Sequence, residues 1–477
     1  MSTSIGGNRH CVLGFEVKEV RNSQRIGPMK RPFFNALWSA SLAILLTSAA
    51  GFVHAQRPAA QWPAPRALDA ARLQRAGLRI LEGKHLRLVT DLPSSPAVDE
   101  LPQMVDAAVE QWSDYFRVPH DKLNDWRVQA YLIGKREPFD ALGLMPDGHD
   151  QFPHGLSMGY EVWFHEQPSD YYRRHLLLHE VTHGFMSTLL GGCGPGWYME
   201  GVAEMLGTHD WKAESGVLKL GVMPASREAM PMWGRIKAVR GAVVDKRALS
   251  VPSIMQIDNR QILGDESYAW VWALSKWLDT HPRYRERFRA LPSHVLRDDF
   301  NDLLREAYRD DWDKLQLEWR YFISTLDYGY DIEREALSFG ATRALPASGA
   351  EVSVAADRGW QSTGYPVEAG RTYDLTADGR FVIGREPNGT PWPCEANGVT
   401  LEYHAGQPLG MLLAAIDPGG DSSERLAAFI APIPVGSRMR LVAPQSGVLW
   451  LRLNDSPSRL RENEGEVRVT IESNGVP

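Results

Sequence analysis

A chain of 477 residues, 43% hydrophobic and 23% charged, carries enough apolar material for two or three globular cores. Its net charge of −7 gives no positive excess to meet a nucleic acid, so a nucleic-acid partner is not expected. Neither internal repeats nor long low-complexity tracts run through it.

Residues 1–55 read as an export signal. Arg25 to Arg31 supply positive charge, Phe34 to Val53 an apolar run, and Val53-His54-Ala55 a small-residue exit before Gln56. A start at Met29 gives this signal ordinary proportions. The expectation is a periplasmic or secreted protein. An uncleaved membrane anchor is the alternative, disfavoured by the small residues near the end of the run. Residues 56–80 are expected as a flexible lead-in that opens on a stretch rich in Pro, Ala and Gln. Cys11 falls in the leader, which leaves Cys193 and Cys394 either as one disulfide or as two free thiols.

Leu86 to Asp91 then predicts a strand, Val98 to Phe116 an amphipathic helix, Trp126 to Ile133 a second strand and Tyr160 to Phe164 a third. Next comes His175-Leu-Leu-Leu-His179-Glu180-Val-Thr-His183. A helical step of four residues turns through about 400°, so His179 and His183 leave one face and can grip one ion. Catalytic zinc usually takes three protein ligands, and Glu200 in Tyr198-Met-Glu200-Gly-Val-Ala-Glu204 is placed to be the third after a turn at Gly191 to Gly196. Glu180 is then free to act as general base toward a water, and Glu204, one turn after Glu200, to hold the distal nitrogen of His179. His175 lies one turn before His179 and reads as a packing or supporting residue.

This pairing of H-E-x-x-H with Trp197-Tyr-Met-Glu200-Gly-Val-Ala-Glu204 resembles the gluzincin metallopeptidases, especially the bacterial branch with a W-x-x-E-G-x-A-E segment. The resemblance implies zinc (Zn²⁺) on His179, His183 and Glu200, Glu180 as general base, and a peptide or protein substrate. It also implies that the last strand before the motif helix borders the cleft, where an extended substrate can pair with it. No Gly-x-Met-x-Asn signature precedes the motif, which points to endopeptidase rather than aminopeptidase action.

Downstream, Ser267 to Leu278 and Phe300 to Leu326 carry large apolar residues at helical spacing. Tyr268 opens the first of these. Related metallopeptidases stabilise the oxyanion with a tyrosine or histidine from such helices, so Tyr268 is a candidate for that role beside the alternative of a buried core tyrosine. From about residue 338 the pattern changes to short alternating segments between Gly, Asn, Pro and Asp: Val352 to Val354, Arg371 to Thr376, Val399 to Tyr403, Met439 to Val442, Val448 to Leu453 and Val467 to Ile471. That is the signature of an antiparallel sandwich. Val352 to Ile471 resembles the small calcium-dependent galactose-binding bacterial lectins. The resemblance implies calcium (Ca²⁺) at Asp455, Glu462 and Asn463, with carbonyls near Thr363 and Arg459. Trp392-Pro-Cys394-Glu-Ala-Asn-Gly departs from the sugar-contacting loop of those lectins, which lacks here its His and Gln pair.

The fold class expected is α+β: a zincin-like domain over 81–337, with a mixed sheet, an active-site helix and further helices, followed by a lectin-like β-sandwich over 338–477. The function expected is an exported zinc metallopeptidase. The alternative is a protein that binds a glycan or the cell-envelope surface and carries a vestigial peptidase domain.

Overall fold

Burial on both faces selects the centre of the first sheet, because Val128-Gln-Ala-Tyr-Leu-Ile is a continuous run of buried residues with no solvent-facing alternation. The computed structural model describes residues 56–148, 152–257 and 264–473, so the expected signal over 1–55 lies outside the described residues. The sheet contains β1 (Arg79–Glu82), β2 (Leu86–Thr90), β3 (Val128–Ile133), β4 (Gly155–Met158) and β5 (Glu161–His165), in the order β1-β2-β3-β5-β4. β2, β3 and β5 run parallel, whereas β1 and β4 are antiparallel to their neighbours. The helix Leu101–Phe116 covers one face with Met104, Val105, Ala108, Val109 and Trp112, and Tyr131, Phe139 and Trp163 fill the other.

Three local expectations change. The helix foreseen from Val98 starts at Leu101, because Pro102 is accommodated only in a first turn; Pro96–Asp99 is a separate short turn. The strand around Tyr160 to Phe164 is internal. A hairpin through Gly159, at φ 67°, adds β4 outside it, and β4 is therefore the edge. Finally, the stretch expected to be a flexible lead-in is fastened along its length. The Arg57 N–H donates to the Leu296 carbonyl at 2.7 Å and the Ala60 N–H to that of Gly191 at 2.9 Å. Trp62 fills the space a side chain on Gly159 would take, and Arg66 bonds Glu161, Gly143 and Met145.

The motif helix, Asp170–Phe185, is capped by the Ser169 hydroxyl accepting from the Tyr172 N–H. It continues as a π-helical turn, Met186–Leu190, and stops at Gly191 with φ 78°. The return helix, Gly196–Gly207, packs on the helix Asp265–Thr280. Contact is close enough that a Cβ on Gly201 would sit 2.3 Å from Ser275 Oγ and 2.6 Å from the Val271 carbonyl oxygen. The glycine of the E-G-x-A-E segment is thus needed for helix contact. Between these two helices the chain forms the hairpin β6 (His209–Lys212) and β7 (Val217–Leu220), then the helix Arg235–Val244. The apolar pattern over Phe300 to Leu326 divides into helices Phe300–Ala307 and Trp312–Thr325, separated by the turn Arg309–Asp311.

The remainder is a sandwich. β8 (Ala350–Ala355), β10 (Thr372–Asp378), β16 (Arg438–Val442) and β18 (Glu466–Ser473) make one sheet in the order β16-β10-β18-β8. β9 (Gln361–Val367), β13 (Asn397–His404), β14 (Gln407–Asp417) and β17 (Gly447–Leu453) make the other in the order β13-β14-β17-β9, with the short β15 (Ile433–Pro434) beside β14. β11 (Phe381–Arg385) and β12 (Pro391–Cys394) pair with each other. Leu375, Ile383, Leu412, Leu451, Val469 and Ile471 meet between the sheets. Leu413 and Ala415 on the outer face of β14, with Trp450, are covered by Phe429 of the helix Ser422–Ile430 and by Leu317 and Tyr321 of the helix Trp312–Thr325. Across the same joint Arg452 bonds Glu335 at 2.6 Å and the Tyr321 hydroxyl at 2.8 Å. The chain is thus α+β with a sandwich, and no barrel closes among the described residues. Nor is any described helix long and apolar enough to cross a membrane. Cys193 and Cys394 are both free thiols.

Candidate metal centre

Helical spacing and the Gly191 to Gly196 turn bring three donor atoms together. His179 Nε2 lies 3.1 Å from His183 Nε2 and 3.1 Å from Glu200 Oε2, and His183 Nε2 lies 3.3 Å from the same oxygen. All three side chains are almost enclosed, at 7%, 12% and 13% exposure. Ligand bonds of about 2.0–2.1 Å at tetrahedral angles put donor atoms about 3.3–3.4 Å apart, so this triangle has nearly the size of one face of a zinc tetrahedron. Burial disfavours charge on His179, but Glu200 and Glu204 outweigh it and raise the imidazole to about 9. Burial likewise pushes Glu200 up, and the two imidazoles hold it well below the usual carboxylate range. These groups attract positive charge to the point where they converge.

Glu204 Oε2 stands 3.3 Å from His179 Nδ1, which directs the other ring nitrogen toward Glu200 and His183. Its second oxygen accepts from Arg235 Nε at 2.7 Å and Trp233 Nε1 at 3.1 Å, with His175 Nε2 at 3.3 Å. Despite burial, Arg235 and His175 keep this carboxyl well below its ordinary range. His175, His179 and Glu204 form a second buried group whose ligand atoms lie close enough to hold a metal ion. The sequence reading missed Trp233 and Arg235. They come from the irregular chain before, and the first residue of, the helix Arg235–Val244, which no spacing from the motif marks, and Arg235 is recognisable only once the fold buries it at 7% exposure.

Glu180 faces a cavity of about 230 Å³ with Tyr172, Arg235, Tyr268 and the start of β4. Gly155 makes room for it, since a Cβ there would fall 2.3 Å from Glu180 Oε1. Burial raises the Glu180 carboxyl, against the pull of His179 and His183. Tyr268 stands apart from the tryptophan stripe of its helix. Its ring lies edge-on to His179 at 6.1 Å with the Arg235 guanidinium 5.4 Å away, and burial followed by the charge of Glu200 raises its hydroxyl well above the ordinary range. Cys193 sits beside the site with Sγ 3.9 Å from the His183 carbonyl oxygen.

In the sandwich, Asp455 and Asn463 come together, Asn463 Nδ2 donating to Asp455 Oδ2 at 2.9 Å. The Asn463 side-chain oxygen is buried without a hydrogen-bond partner among the described residues. Glu462 instead turns its half-exposed carboxylate toward Arg459 Nε at 3.9 Å, and Arg459 also bonds Glu402 at 2.6 Å. Thr363 uses its hydroxyl on the Leu449 carbonyl.

No family model matches the chain, and no curated protein matches it. Among solved structures it is similar to a lectin described as the EclA N-terminal domain, PllA-like, at 23% identity over 26% of this chain and 95% of that one, with a TM-score of 0.20. An aminopeptidase N family protein from Idiomarina loihiensis aligns at 12% identity over 83% of this chain and 68% of that one, with a TM-score of 0.27. IMPa from Pseudomonas aeruginosa, solved with an O-glycopeptide, aligns at 13% identity over 56% of this chain and 26% of that one, with a TM-score of 0.13.

Proposed function

We propose that the chain is an exported zinc metallopeptidase of the gluzincin type, with zinc held by His179, His183 and Glu200. The observation that carries this reading is the triangle of donor atoms, 3.1, 3.1 and 3.3 Å on its sides, buried and backed by Glu204. A zinc ion bound there would supply Lewis acidity and lower the pKa of a bound water. Glu180 takes a proton at its carboxylate and returns it to the leaving amine, a role typically worth about 10²–10⁴-fold. Tyr268 offers its hydroxyl to the oxyanion that develops on the peptide carbonyl, and Glu204 with Arg235 keeps His179 in the required tautomer. An extended peptide would lie along the outer edge of β4, the end strand of its sheet among the described residues, whose first residue borders Glu180.

The test is elemental analysis together with turnover of a peptide library by the full chain. Zinc at one equivalent, lost on substitution of His179, His183 or Glu200, is expected. Glu180→Gln should keep the metal and abolish cleavage; wild-type rates in that variant would reject the mechanism. Tyr268→Phe should cost on the order of 10²–10³ in kcat.

A second reading assigns glycan or envelope-surface binding to the sandwich, with calcium at Asp455 and Asn463. The buried, unpartnered Asn463 oxygen beside Asp455 favours it. Calorimetric titration of the full chain with calcium, in wild type and in Asp455→Ala, decides it: no saturable heat in wild type ends this reading.

A further inference from the structure

About two helical turns beyond Tyr268, the helix Asp265–Thr280 reaches a second cavity of about 300 Å³, lined by a different set of side chains from the cavity that Glu180 faces. Lys276 forms part of its wall, beside Asp279, Arg285, Arg289 and Glu333. Lys276 is only 7% exposed. An ammonium has three N–H donors, and among the described residues one hydrogen bond, 2.6 Å to the Gly221 carbonyl, is formed. Among the described residues Asp279 gives it no hydrogen bond, since Arg289 takes both oxygens of that carboxylate at 2.9 and 3.1 Å. Arg285 is also loosely held: its nearest carboxylates, Glu286 and Glu333, stand at 3.6 and 4.0 Å, beyond hydrogen-bonding distance. Among the described residues the wall therefore carries three cations against two acids, with Lys276 and Arg285 donors that no carboxylate takes up within hydrogen-bonding distance. Burial lowers the Lys276 ammonium to about 8, against the pull of Asp279.

A buried charge is costly unless it is paired and hydrogen-bonded. We propose that this cavity is a binding site for a small oxyanion of the phosphate or carboxylate class, held by Lys276 and Arg285. The anion completes the hydrogen bonds of Lys276 and bridges elements from both sides of the cavity, the helix Leu101–Phe116 at Gln111 and Tyr115 and the segment carrying Arg285 and Arg289. The site is independent of the metal centre and does not rest on the peptidase reading.

The experiment titrates the full chain with inorganic phosphate at pH 7, with sodium chloride at matched ionic strength as the control, and follows heat release and Tm. Saturable binding and a rise in Tm are expected for phosphate alone. Lys276→Met should weaken the binding at least tenfold, and Arg285→Gln severalfold. Arg285 is partly exposed, so its variant remains informative if Lys276→Met fails to fold. Absence of saturable binding overturns the proposal, as does an affinity unchanged in Arg285→Gln or Lys276→Met.

Discussion

Arg235 Nε donates to Glu204 Oε1 at 2.7 Å, and both side chains are buried, at 8% and 2% exposure. Removing the guanidinium leaves Glu204 to be stabilised by Trp233 and two imidazoles, which weakens its hold on His179. On the proposed zinc site, Arg235→Met should lower zinc affinity by about 10–100-fold, the usual cost of losing a partner behind a metal ligand. Competition against a chelator measures this, and partial recovery in Arg235→Lys separates lost charge from lost packing.

On the proposed mechanism, Gly155→Ala acts on Glu180. Its Cβ would fall 2.3 Å from Glu180 Oε1, so the carboxylate must move while His179, His183 and Glu200 stay in place. The expected outcome is a fall in kcat of about 10²-fold or more at unchanged zinc content, within the range by which a general base contributes. Normal turnover would show that Glu180 has another route out of the way.

Arg452 and Glu335 form a buried pair at 2.6 Å, with side-chain exposures of 8% and 1%. Arg452→Met strands a carboxylate inside the joint and should cost about 3–5 kcal/mol. Thermal or denaturant unfolding reads the loss. Adding Glu335→Gln should restore much of it, because the stranded charge is gone.

Lys276 gives the chain a pH dependence with a definite sign. Its ammonium titrates at about 8 in the folded protein against 10.5 in the reference state, chiefly through burial, with Asp279 and Arg289 facing it. The unfolded chain therefore holds the extra proton between those values, and stability rises with pH across that window. The contribution is about 3 kcal/mol in total at about 1.4 kcal/mol per pH unit. Subtracting the stability profile of Lys276→Met from that of wild type should expose this slope; a flat difference would contradict it.

The motif residues were legible because local geometry carries them. A four-residue step aligns His179 with His183, and a glycine-rich turn is enough to bring Glu200 and Glu204 back. Gly201 was readable as part of a pattern, but its physical reason, the approach of Ser275 and Val271, appears only in the packed helices. Trp233 and Arg235 were invisible because long-range packing alone delivers them to Glu204. β14 escaped notice for a related reason. With one face in the sandwich core and the other beneath Phe429 and Leu317, Leu409 to Ile416 shows no alternation to read. Asp455 and Asn463 meet in the structure, whereas Glu462 is drawn to Arg459, a choice that depends on which side chains neighbour the loop in space.

The joint around Arg452 bears on how this chain can be divided. A boundary near residue 338 is a line in the sequence, yet Tyr321 and Leu317 on one side of it share a dry layer with Trp360, Leu413, Phe429 and Trp450 on the other. Severing the chain there would turn that layer into two wetted apolar patches, each bearing half of an ion pair. Either half expressed alone would be prone to self-association, and its failure to bind or cleave would say nothing about the intact molecule.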